Sequence, residues 1–149
     1  MMIRKMLKQD LPEVLINERA SYDFPWSEGI FLGCLRKGYY PWVYEQEGIV
    51  GHAIMSIVCA DAHILNVTVK PEYRNQKIGM NLMQFMLNHP LLNEVQDVFL
   101  EVRSSNDIAI RMYQTLCFNE VGVRKGYYRS HCGSEDAIVM AKSIVKDFN

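Results

Sequence analysis

A strand, a loop, a helix and a second strand follow one another near the middle of the chain, and this order constrains the fold most. Residues 62–69 (AHILNVTV) are dense in β-branched side chains and predict a strand. Residues 78–88 carry apolar side chains at helical spacing, and residues 98–102 (VFLEV) predict the second strand. A strand–helix–strand unit of this kind joins parallel neighbours through a right-handed crossover. The chain therefore predicts a sheet with a parallel pair and a helix on its face.

The flanking segments predict more strands and helices around this unit. Further strands are predicted at residues 3–7, 40–44, 49–58, 119–128 and 137–141, and further helices at residues 11–22, from 27 to near 38, and 107–116. Asp10 and Ser27 are the predicted N-caps of the first two helices, and the turn at residues 45–48 closes a hairpin. This order predicts a mixed α/β domain with a central sheet, and 149 residues fit a single domain, 1–149.

Charge and cysteine spacing disfavour several classes of protein. The formal net charge of -1 gives no global field that attracts nucleic acid or a membrane surface. No window reaches the ~20 apolar residues of a membrane span, and the N-terminus has no apolar run of signal-peptide length, so we expect a cytoplasmic protein. The cysteines and histidines show no zinc-binding spacing. We therefore expect reduced, mostly buried thiols, structural or solvated histidines, and no metal site.

The loop before the predicted central helix has the character of a phosphate-binding turn. Its sequence, YRNQKIGM at residues 73–80, follows a strand and begins a helix. A helix N-terminus offers unpaired backbone N–H groups and a positive dipole end, and Arg74 and Lys77 add two cations. An ordinary loop with solvated charges is the alternative, and R-x-x-x-x-G alone does not decide between the two.

Polar residues also mark the second strand and the helix that follows it. Glu101 and Arg103 alternate with apolar residues and share one face of that strand. Asn106 is a predicted helix cap, and Tyr113 lies two helical turns further along on the same side. Taken singly, Glu101 and Arg103 are better explained as an ion-pairing edge on a solvated face, and Tyr113 as a core or half-core aromatic.

Together, the motifs resemble those of the GCN5-related N-acetyltransferase (GNAT) family. In order they are N-V-x-V, P-x-Y-R-x-x-x-x-G, L-E-V-R-x-x-N and A-x-x-x-Y-x-x-L-x-F, and the element order agrees over nearly the whole chain. Residues 24–27, 100–106, 126–128 and 135–140 most resemble the bacterial ribosomal-protein-alanine N-acetyltransferases. The resemblance implies the GNAT fold, a central mixed β-sheet with two splayed parallel strands, flanked by about four helices.

The resemblance implies acetyl-CoA as cosubstrate, bound in the cleft between the splayed strands. The implied contacts are Val67, Thr68, Val69, Arg74, Asn75, Gln76, Lys77, Ile78, Gly79, Met80 and Asn106. Backbone groups at residues 67 and 69 would pair with the pantetheine arm and the acetyl carbonyl, and the N–H groups of residues 75–80 would hold the pyrophosphate. Asn106 would bond to the pantetheine arm.

The implied catalytic residues are Glu101 and Tyr113. A protein α-amine has a pKa near ~8 and is largely protonated at neutral pH, so a base is needed, and Glu101 would act through a water molecule. We expect partial burial to raise the pKa of Glu101. Tyr113 would stand by the thioester sulfur and protonate the departing thiolate. This chemistry needs no metal.

The implied acceptor side of the cleft is aromatic and acidic. Its candidate residues are Phe24, Trp26, Tyr127, Tyr128, Glu135 and Asp136. A carboxylate there could hold a cationic amine or a basic peptide. The implied acceptor is a peptide or protein N-terminus, in this subfamily the N-terminal alanine of a small-subunit ribosomal protein. A GNAT enzyme that acts on a small amine or a lysine side chain, or a non-catalytic coenzyme A-binding module, stays open. We expect a monomer with no direct nucleic-acid or membrane partner, although the sequence does not fix the oligomeric state.

Two residues depart from the family pattern. Lys77 stands where R-x-x-G-x-G has its first glycine, and Cys117 replaces the glycine of L-G-F. We expect Lys77 to keep a negative φ in the first turn of the helix, with its side chain directed outward. We expect Cys117 to be buried, and positive φ at that residue to cost up to about 1 kcal/mol.

Overall fold

A seven-stranded sheet forms the centre of the computed structural model, which describes residues 2–144. The strands are β1 Met2–Lys5, β2 Tyr39–Glu45, β3 Ile49–Val58, β4 Asp61–Val69, β5 Asp97–Arg103, β6 Asn119–Ser130 and β7 Gly133–Ser143. Their order across the sheet is β1-β2-β3-β4-β5-β7-β6. The β4–β5 pair is parallel, and every other neighbouring pair among the described residues is antiparallel. The predicted parallel crossover is therefore confirmed.

Within residues 2–144, four α-helices flank the sheet, and each was predicted. They are α1 Leu11–Ser21, α2 Glu28–Gly33, α3 Ile78–Leu87 and α4 Asp107–Thr115. Ser27 caps α2 as predicted, because its Oγ accepts a hydrogen bond from the Ile30 N–H at 3.3 Å. The helix ends earlier than the predicted Gly38, since the backbone continues in i→i−3 turns and Gly38 takes φ +94° on entry to β2.

The N-terminal cap predicted for Asp10 is wrong. A 3₁₀ turn at Lys8–Asp10 precedes α1, so Asp10 already has helical backbone angles. Its carboxylate accepts hydrogen bonds from the Leu7 N–H at 2.7 Å and from both Arg4 amino groups at 2.8 and 2.9 Å. Arg4 also donates to Glu45 at 2.7 Å. The pair therefore ties the start of α1 to the edge of the sheet, where β1 also ends sooner than predicted.

The two faces of the sheet carry separate apolar cores. The face under α3 and α4 buries the larger cluster, which includes Ile78, Leu82, Met83, Met86, Tyr113 and Phe118. The face under α1 and α2 buries the smaller one, which includes Leu11, Val14, Leu15, Phe31 and Ile54. Gly51 on β3 lets α3 lie close to the sheet, since a Cβ there would be 3.1 Å from Ile78 and 3.3 Å from Leu82. Close packing at this glycine fixes the height of α3 over the sheet.

The parallel strands β4 and β5 separate part of the way along their length. Their pairing ends at Ile64 opposite Leu100. At the same level, the register of β4 against β3 shifts, because Met55 pairs with Ile64 while Ile54 pairs with Asn66. Leu65 is thus an extra residue, and a bulge of this kind bends a strand and reverses the faces of the residues beyond it. The fork between residues 66–69 and residues 101–103 forms a cleft.

Three of the four cysteines are exposed, which corrects the expectation of mostly buried thiols. Cys34 is buried, whereas Cys59, Cys117 and Cys132 are exposed, and all four are free thiols. Cys59 and Cys117 lie in turns with φ of +54° and +69°. Their place at the ends of elements, and not their apolar character, decides their exposure.

Candidate active site

The open edge of β4 supplies backbone groups to the cleft. The Lys70 N–H donates to the Val50 carbonyl at 2.8 Å, so the residues that alternate with Lys70 face β3. The backbone groups of Val67 and Val69 therefore face the side from which β5 has separated. Their carbonyls accept hydrogen bonds from the α1 hydroxyls, Tyr22 to Val67 at 3.1 Å and Ser21 to Val69 at 3.4 Å. The N–H groups remain directed into the cleft.

The loop before α3 has left-handed backbone at two residues, and the negative φ expected for Lys77 is wrong. Asn75 has φ +64° and Lys77 has φ +63°. Left-handed residues within a turn direct neighbouring N–H groups to one side and form a concave anion-binding nest. The first helical bond of α3 runs from the Asn81 N–H to the Lys77 carbonyl at 2.9 Å. The N–H groups of residues 78–80 therefore stand before the hydrogen-bonded ladder.

The cations beside this nest are uncompensated. Arg74 and Lys77 are exposed and make no side-chain hydrogen bond or ion pair within residues 2–144. Lys70 in contrast lies 3.8 Å from Glu72. Two free cations next to oriented N–H groups favour a phosphate-bearing ligand. The sequence prediction of a phosphate site at this loop is therefore compatible with the geometry.

Helix α4 contributes the second wall of the cleft. Asn106 is its cap as predicted, since Oδ1 accepts from the Ala109 N–H at 3.2 Å. Tyr113 is 8% exposed and packs edge-on against Phe118. Within residues 2–144 its hydroxyl has no hydrogen-bond partner, yet it is not among the fully enclosed polar atoms. The phenol thus opens onto the cleft, while burial, with Tyr22 and Tyr128 nearby, raises the pKa of Tyr113 above its usual range.

Glu101 lies at the fork of β4 and β5, and two cationic or hydrogen-bonding groups hold it there. His63 Nε2 is 2.5 Å from its Oε2, and Arg124 Nη1 is 3.4 Å from its Oε1. Its side chain is only 11% exposed. The hydrogen bond from His63 lowers the pKa of Glu101 and outweighs the opposing effect of burial. The expected rise in the pKa of Glu101 is therefore wrong.

Sequence reasoning missed the contact between His63 and Glu101. In the parallel register, His63 is opposite Phe99, and Glu101 is the next residue on the same face of β5 as Phe99. A histidine on the strand that precedes the phosphate loop was the available signal. Whether the two side chains meet depends on the register between β4 and β5, and the sequence of neither strand determines that register.

A buried carboxylate on α1 also escaped the sequence analysis. Glu18 is 1% exposed and accepts hydrogen bonds from the Trp26 N–H at 2.9 Å and from Asn66 Nδ2 at 3.2 Å, and Thr68 Oγ1 lies 3.3 Å from the same carboxylate. His52 Nε2 lies 3.2 Å from the same carboxylate. Glu18 follows Leu11, Val14 and Leu15 at helical spacing on the apolar face of α1, and that spacing could have revealed it.

The side chain of Thr68 belongs to this network around Glu18. Its side chain is 2% exposed, donates to Asn66 Oδ1 at 2.6 Å and lies 2.9 Å from the Tyr22 hydroxyl. The side chain therefore faces α1 and not the cleft. Any contact between Thr68 and the cosubstrate must use its backbone.

The aromatic residues predicted for the acceptor side are divided between the cleft and the core. Phe24 stacks near His131, with ring centroids 5.3 Å apart, and under the Arg129 guanidinium at 5.2 Å, so the α1–α2 loop touches the β6–β7 hairpin. Trp26 packs on Phe31, with ring centroids 5.3 Å apart, and therefore belongs partly to the core. Both side chains are half-buried, and of the two only Trp26 packs against the smaller core.

The β6–β7 hairpin holds the remaining acceptor candidates. Tyr127 is exposed, whereas Tyr128 is half-buried under the Arg103 guanidinium at 4.5 Å. Glu135 accepts hydrogen bonds from Ser105 Oγ at 2.8 and 3.0 Å, and Asp136 accepts from the Gly126 N–H at 2.9 Å. Both carboxylates therefore already have partners, and an acceptor amine has to compete with them.

Within residues 2–144, no helix combines the length and the apolar character that a membrane span requires. In the same part of the chain, no three His, Cys, Asp or Glu side chains form a group able to hold a metal ion.

Comparison with known proteins gives a consistent family assignment. The sequence model of the Acetyltransferase (GNAT) family matches residues 2–118. The ribosomal protein bS18-alanine N-acetyltransferase of Escherichia coli (strain K12) is 36% identical over 136 residues, which cover 91% of this chain and 92% of that protein.

Solved structures agree on the fold. The crystal structure of the ribosomal-protein-S18-alanine N-acetyltransferase from Escherichia coli superposes with a TM-score of 0.90 at 33% identity, and the match covers 99% of this chain and 96% of that one. The crystal structure of Arabidopsis thaliana NAA60 in complex with acetyl-CoA superposes with a TM-score of 0.85 at 19% identity, over 96% of this chain and 98% of that one. The second likeness concerns the fold alone, and together the two confirm the predicted mixed sheet with splayed strands.

Proposed function

The chain belongs to the acetyltransferase (GNAT) family, and from this membership we propose that it acetylates the N-terminal alanine of ribosomal protein bS18. As a family member it is an N-acetyltransferase, which moves the acetyl group of acetyl-CoA to an amine. The proposed acceptor follows the name of the relative that matches most of both chains. The observation that carries the proposal is the fork of β4 and β5, which joins an unpaired strand edge, a fixed carboxylate and a buried phenol.

The cleft fits acetyl-CoA, which supplies a thioester as the acetyl donor. The N–H groups of Val67 and Val69 are directed to the side that β5 has left, where an extended pantetheine arm can take the place of a strand. The nest at residues 75–80, with Arg74 and Lys77 beside it, suits the pyrophosphate. We assign Asn106 to the pantetheine arm, because its Nδ2 is free of hydrogen bonds within residues 2–144 while its Oδ1 caps α4.

We assign the base role to Glu101. Its lowered pKa keeps the carboxylate ionised at neutral pH, so it attracts the acceptor ammonium before any proton moves. Glu101 then takes one proton from the ammonium through a water molecule, which frees the nitrogen lone pair to attack the thioester carbonyl, and a second proton leaves the nitrogen as the amide forms. A carboxylate with a lowered pKa is a weak base, so much of its contribution comes from holding and orienting the amine.

We assign the acid role to Tyr113. Because its pKa is raised, the phenol stays protonated at neutral pH and remains a hydrogen-bond donor. Its O–H donates a hydrogen bond that stabilises the thiolate as the C–S bond breaks, and the proton that it gives to sulfur is replaced on the phenol by the second proton leaving the acceptor nitrogen, carried by water. The N–H of Val67 or Val69, directed into the same cleft, stabilises the charge that develops on the acetyl oxygen.

The acceptor peptide enters, in this proposal, between the α1–α2 loop and the β6–β7 hairpin. Phe24, Tyr127 and Tyr128 offer aromatic surface to its first residues, and Trp26 supports the loop from the core side. Glu135 and Asp136 hold the shape of the hairpin through their bonds to Ser105 and Gly126, and they reach a cationic acceptor only if those bonds open. We place the reaction in the cytoplasm, with a monomeric enzyme and no metal, nucleic-acid or membrane partner.

Mass spectrometry of a peptide panel tests the proposed acceptor. The panel contains bS18 N-terminal peptides with the first two residues varied, one with a blocked α-amine, one with an internal lysine, and a free polyamine. We expect an acetyl group on the α-amine of the alanine peptide and none on the blocked peptide. Turnover of the lysine peptide or the polyamine alone would make the proposed acceptor wrong and favour the small-amine or lysine alternative, while no transfer to any amine would favour a coenzyme A-binding module.

A further inference from the structure

A side chain from each of the two parallel strands meets at the fork where the strands separate. His63 is on β4, one residue before the last paired position, and Glu101 is on β5, one residue beyond it. Their atoms Nε2 and Oε2 are 2.5 Å apart, a short hydrogen bond for a nitrogen donor. His63 is 36% exposed and Glu101 11% exposed, so the pair runs from solvent into the cleft.

The ring nitrogen is the donor in this bond. An ionised carboxylate can only accept hydrogen bonds, so the proton between the two atoms belongs to Nε2 of His63. The second carboxylate oxygen, Oε1, faces Arg124 of β6 at the longer distance of 3.4 Å. Tyr128 of the same strand is the other titratable group whose pKa depends on Glu101. Among these neighbours, His63 makes the shortest contact to Glu101.

We propose that His63 is a positioning residue for acetyl transfer, in which its Nε2–H donates to Glu101 and fixes the carboxylate at the apex of the cleft. The proposal rests on the base role assigned to Glu101 above. His63 binds one oxygen of the carboxylate. The other oxygen can then bind either Arg124, whose contact is long, or the water that bridges to the amine. A carboxylate without His63 can rotate about χ3 and loses a fixed direction toward the acceptor.

The alternative is that the contact only fastens β4 to β5. A fastening role predicts a loss of stability and the same change in the titration of Glu101, because a hydrogen bond that stabilises the fold through the charged carboxylate also favours its charged form, but it predicts no loss of kcat. A positioning role predicts both a change in that titration and a loss of kcat, because the same hydrogen bond that orients the carboxylate also favours its charged form. The titration therefore tests whether the hydrogen bond exists, and kcat of the folded variants separates the two roles, since it falls if His63 positions Glu101 and is unchanged if His63 only fastens the strands.

Carbon-13 NMR of glutamate-labelled protein tests the proposal directly. The carboxyl signal of Glu101 is assigned by its disappearance in Glu101→Gln and followed against pH in the wild type, in His63→Leu, which has no donor, and in His63→Gln, which has an amide donor. His89→Gln, at the far end of α3, is the matched control for the loss of an imidazole. The titration midpoint of Glu101 is expected to rise in His63→Leu and to return toward the wild-type value in His63→Gln.

Steady-state kinetics provides the second readout. We expect kcat to fall roughly tenfold to a hundredfold in His63→Leu, with KM for acetyl-CoA unchanged and with partial recovery in His63→Gln. An unchanged titration midpoint in His63→Leu would overturn the proposal, and so would an equal rise in both His63 variants, since the amide keeps the donor. If His63→Leu does not fold, nitrogen-15 spectra of the imidazole decide: a proton on Nε2 that changes environment in Glu101→Gln supports the hydrogen bond, and an unaltered signal refutes it.

The NMR titration needs no acceptor, so it separates this inference from the proposed function. A raised midpoint in His63→Leu together with no acetylation of the alanine peptide would refute the acceptor and leave the His63 contact standing. Acetylation of the alanine peptide together with an unchanged midpoint would refute the role of His63 and leave the acceptor standing.

Discussion

Replacement of Lys77 by glycine and by alanine separates the effect of its left-handed backbone from the effect of its side-chain charge. Lys77 has φ +63° and ψ 20°, a left-handed conformation that costs a residue with a Cβ about 1–2 kcal/mol. Lys77→Gly removes that cost but adds about 0.5–1 kcal/mol of backbone entropy in the unfolded chain. Lys77→Ala retains the left-handed strain and removes only the charge. We therefore expect Lys77→Gly to be about 1 kcal/mol more stable than Lys77→Ala.

The same two variants should differ little in their affinity for coenzyme A. Both keep the backbone N–H of residue 77, and both lose one exposed cation near the proposed pyrophosphate site, which is worth about 0.3–1 kcal/mol at low salt. That range corresponds to a loss of up to about fivefold in affinity relative to the wild type. The loss should shrink as salt screens the exposed charge.

Urea denaturation measures the free energy of unfolding, and calorimetry at two salt concentrations measures the affinity for coenzyme A. Asn75→Gly is a matched control, because Asn75 also has a left-handed φ of +64° but asparagine tolerates that region. Its gain in stability should be smaller than that of Lys77→Gly. If Lys77→Gly proved less stable than Lys77→Ala, the left-handed assignment would be wrong. A tenfold gain in affinity for Lys77→Gly over the wild type would show instead that the lysine obstructs the turn.

Four further outcomes follow from the site. Glu101→Gln should lower kcat by a factor of about 10²–10⁴ and leave the affinity for coenzyme A unchanged. Glu120→Gln, on the exposed surface of β6, is the control, and an equal kcat in the two variants would contradict the base role. Tyr113→Phe should lower kcat without lowering the affinity, and calorimetry with stopped assays checks both. Glu18→Ala should lower the free energy of unfolding by about 3–5 kcal/mol in urea, because it leaves buried donors unpaired, and a loss under about 1 kcal/mol would refute the network. Burial opposes ionisation of Glu18, but its hydrogen bonds prevail and lower its pKa. The stability that Glu18 contributes is therefore present above the unfolded pKa of ~4.3 and is lost as pH falls through the folded pKa. Glu18→Gln should reduce this loss of stability at acid pH.

Local signals in the sequence were sufficient for the elements and for two of the caps. The alternation at β5 and the apolar spacing of α3 give the parallel crossover, and Ser27 and Asn106 cap their helices as their residue types indicate. Asp10 is the same type of residue, yet it fails as a cap of α1. Arg4 on β1, six residues before Asp10, binds its carboxylate instead, and the fold of the turn between them brings the two side chains together.

Backbone conformation was less accessible than element type. Lys77 and Cys117 both have positive φ where a family glycine is expected, at +63° and +69°. Residue type argues against such angles, because the Cβ raises their energy. At Cys117 the surrounding turn nevertheless stabilises the positive φ. The Phe118 N–H donates to the Tyr113 carbonyl and the Cys117 N–H to the Gln114 carbonyl, and these two bonds close α4. The conformation follows from the hydrogen bonds of the turn, which the single residue does not reveal.

The bulge at Leu65 links the separate parts of the site. One extra residue on β4 reverses the faces beyond it, so Asn66 and Thr68 turn toward Glu18 under α1. The same bend coincides with the end of the β4–β5 ladder at Ile64, and it leaves the groups of the following residues without a strand partner. Because Glu18 also accepts from the Trp26 N–H, the buried network ties the bent strand to the loop on the acceptor side. The end of β4 and the α1–α2 loop, to which the proposal assigns the cosubstrate and the acceptor, are thus held by one carboxylate.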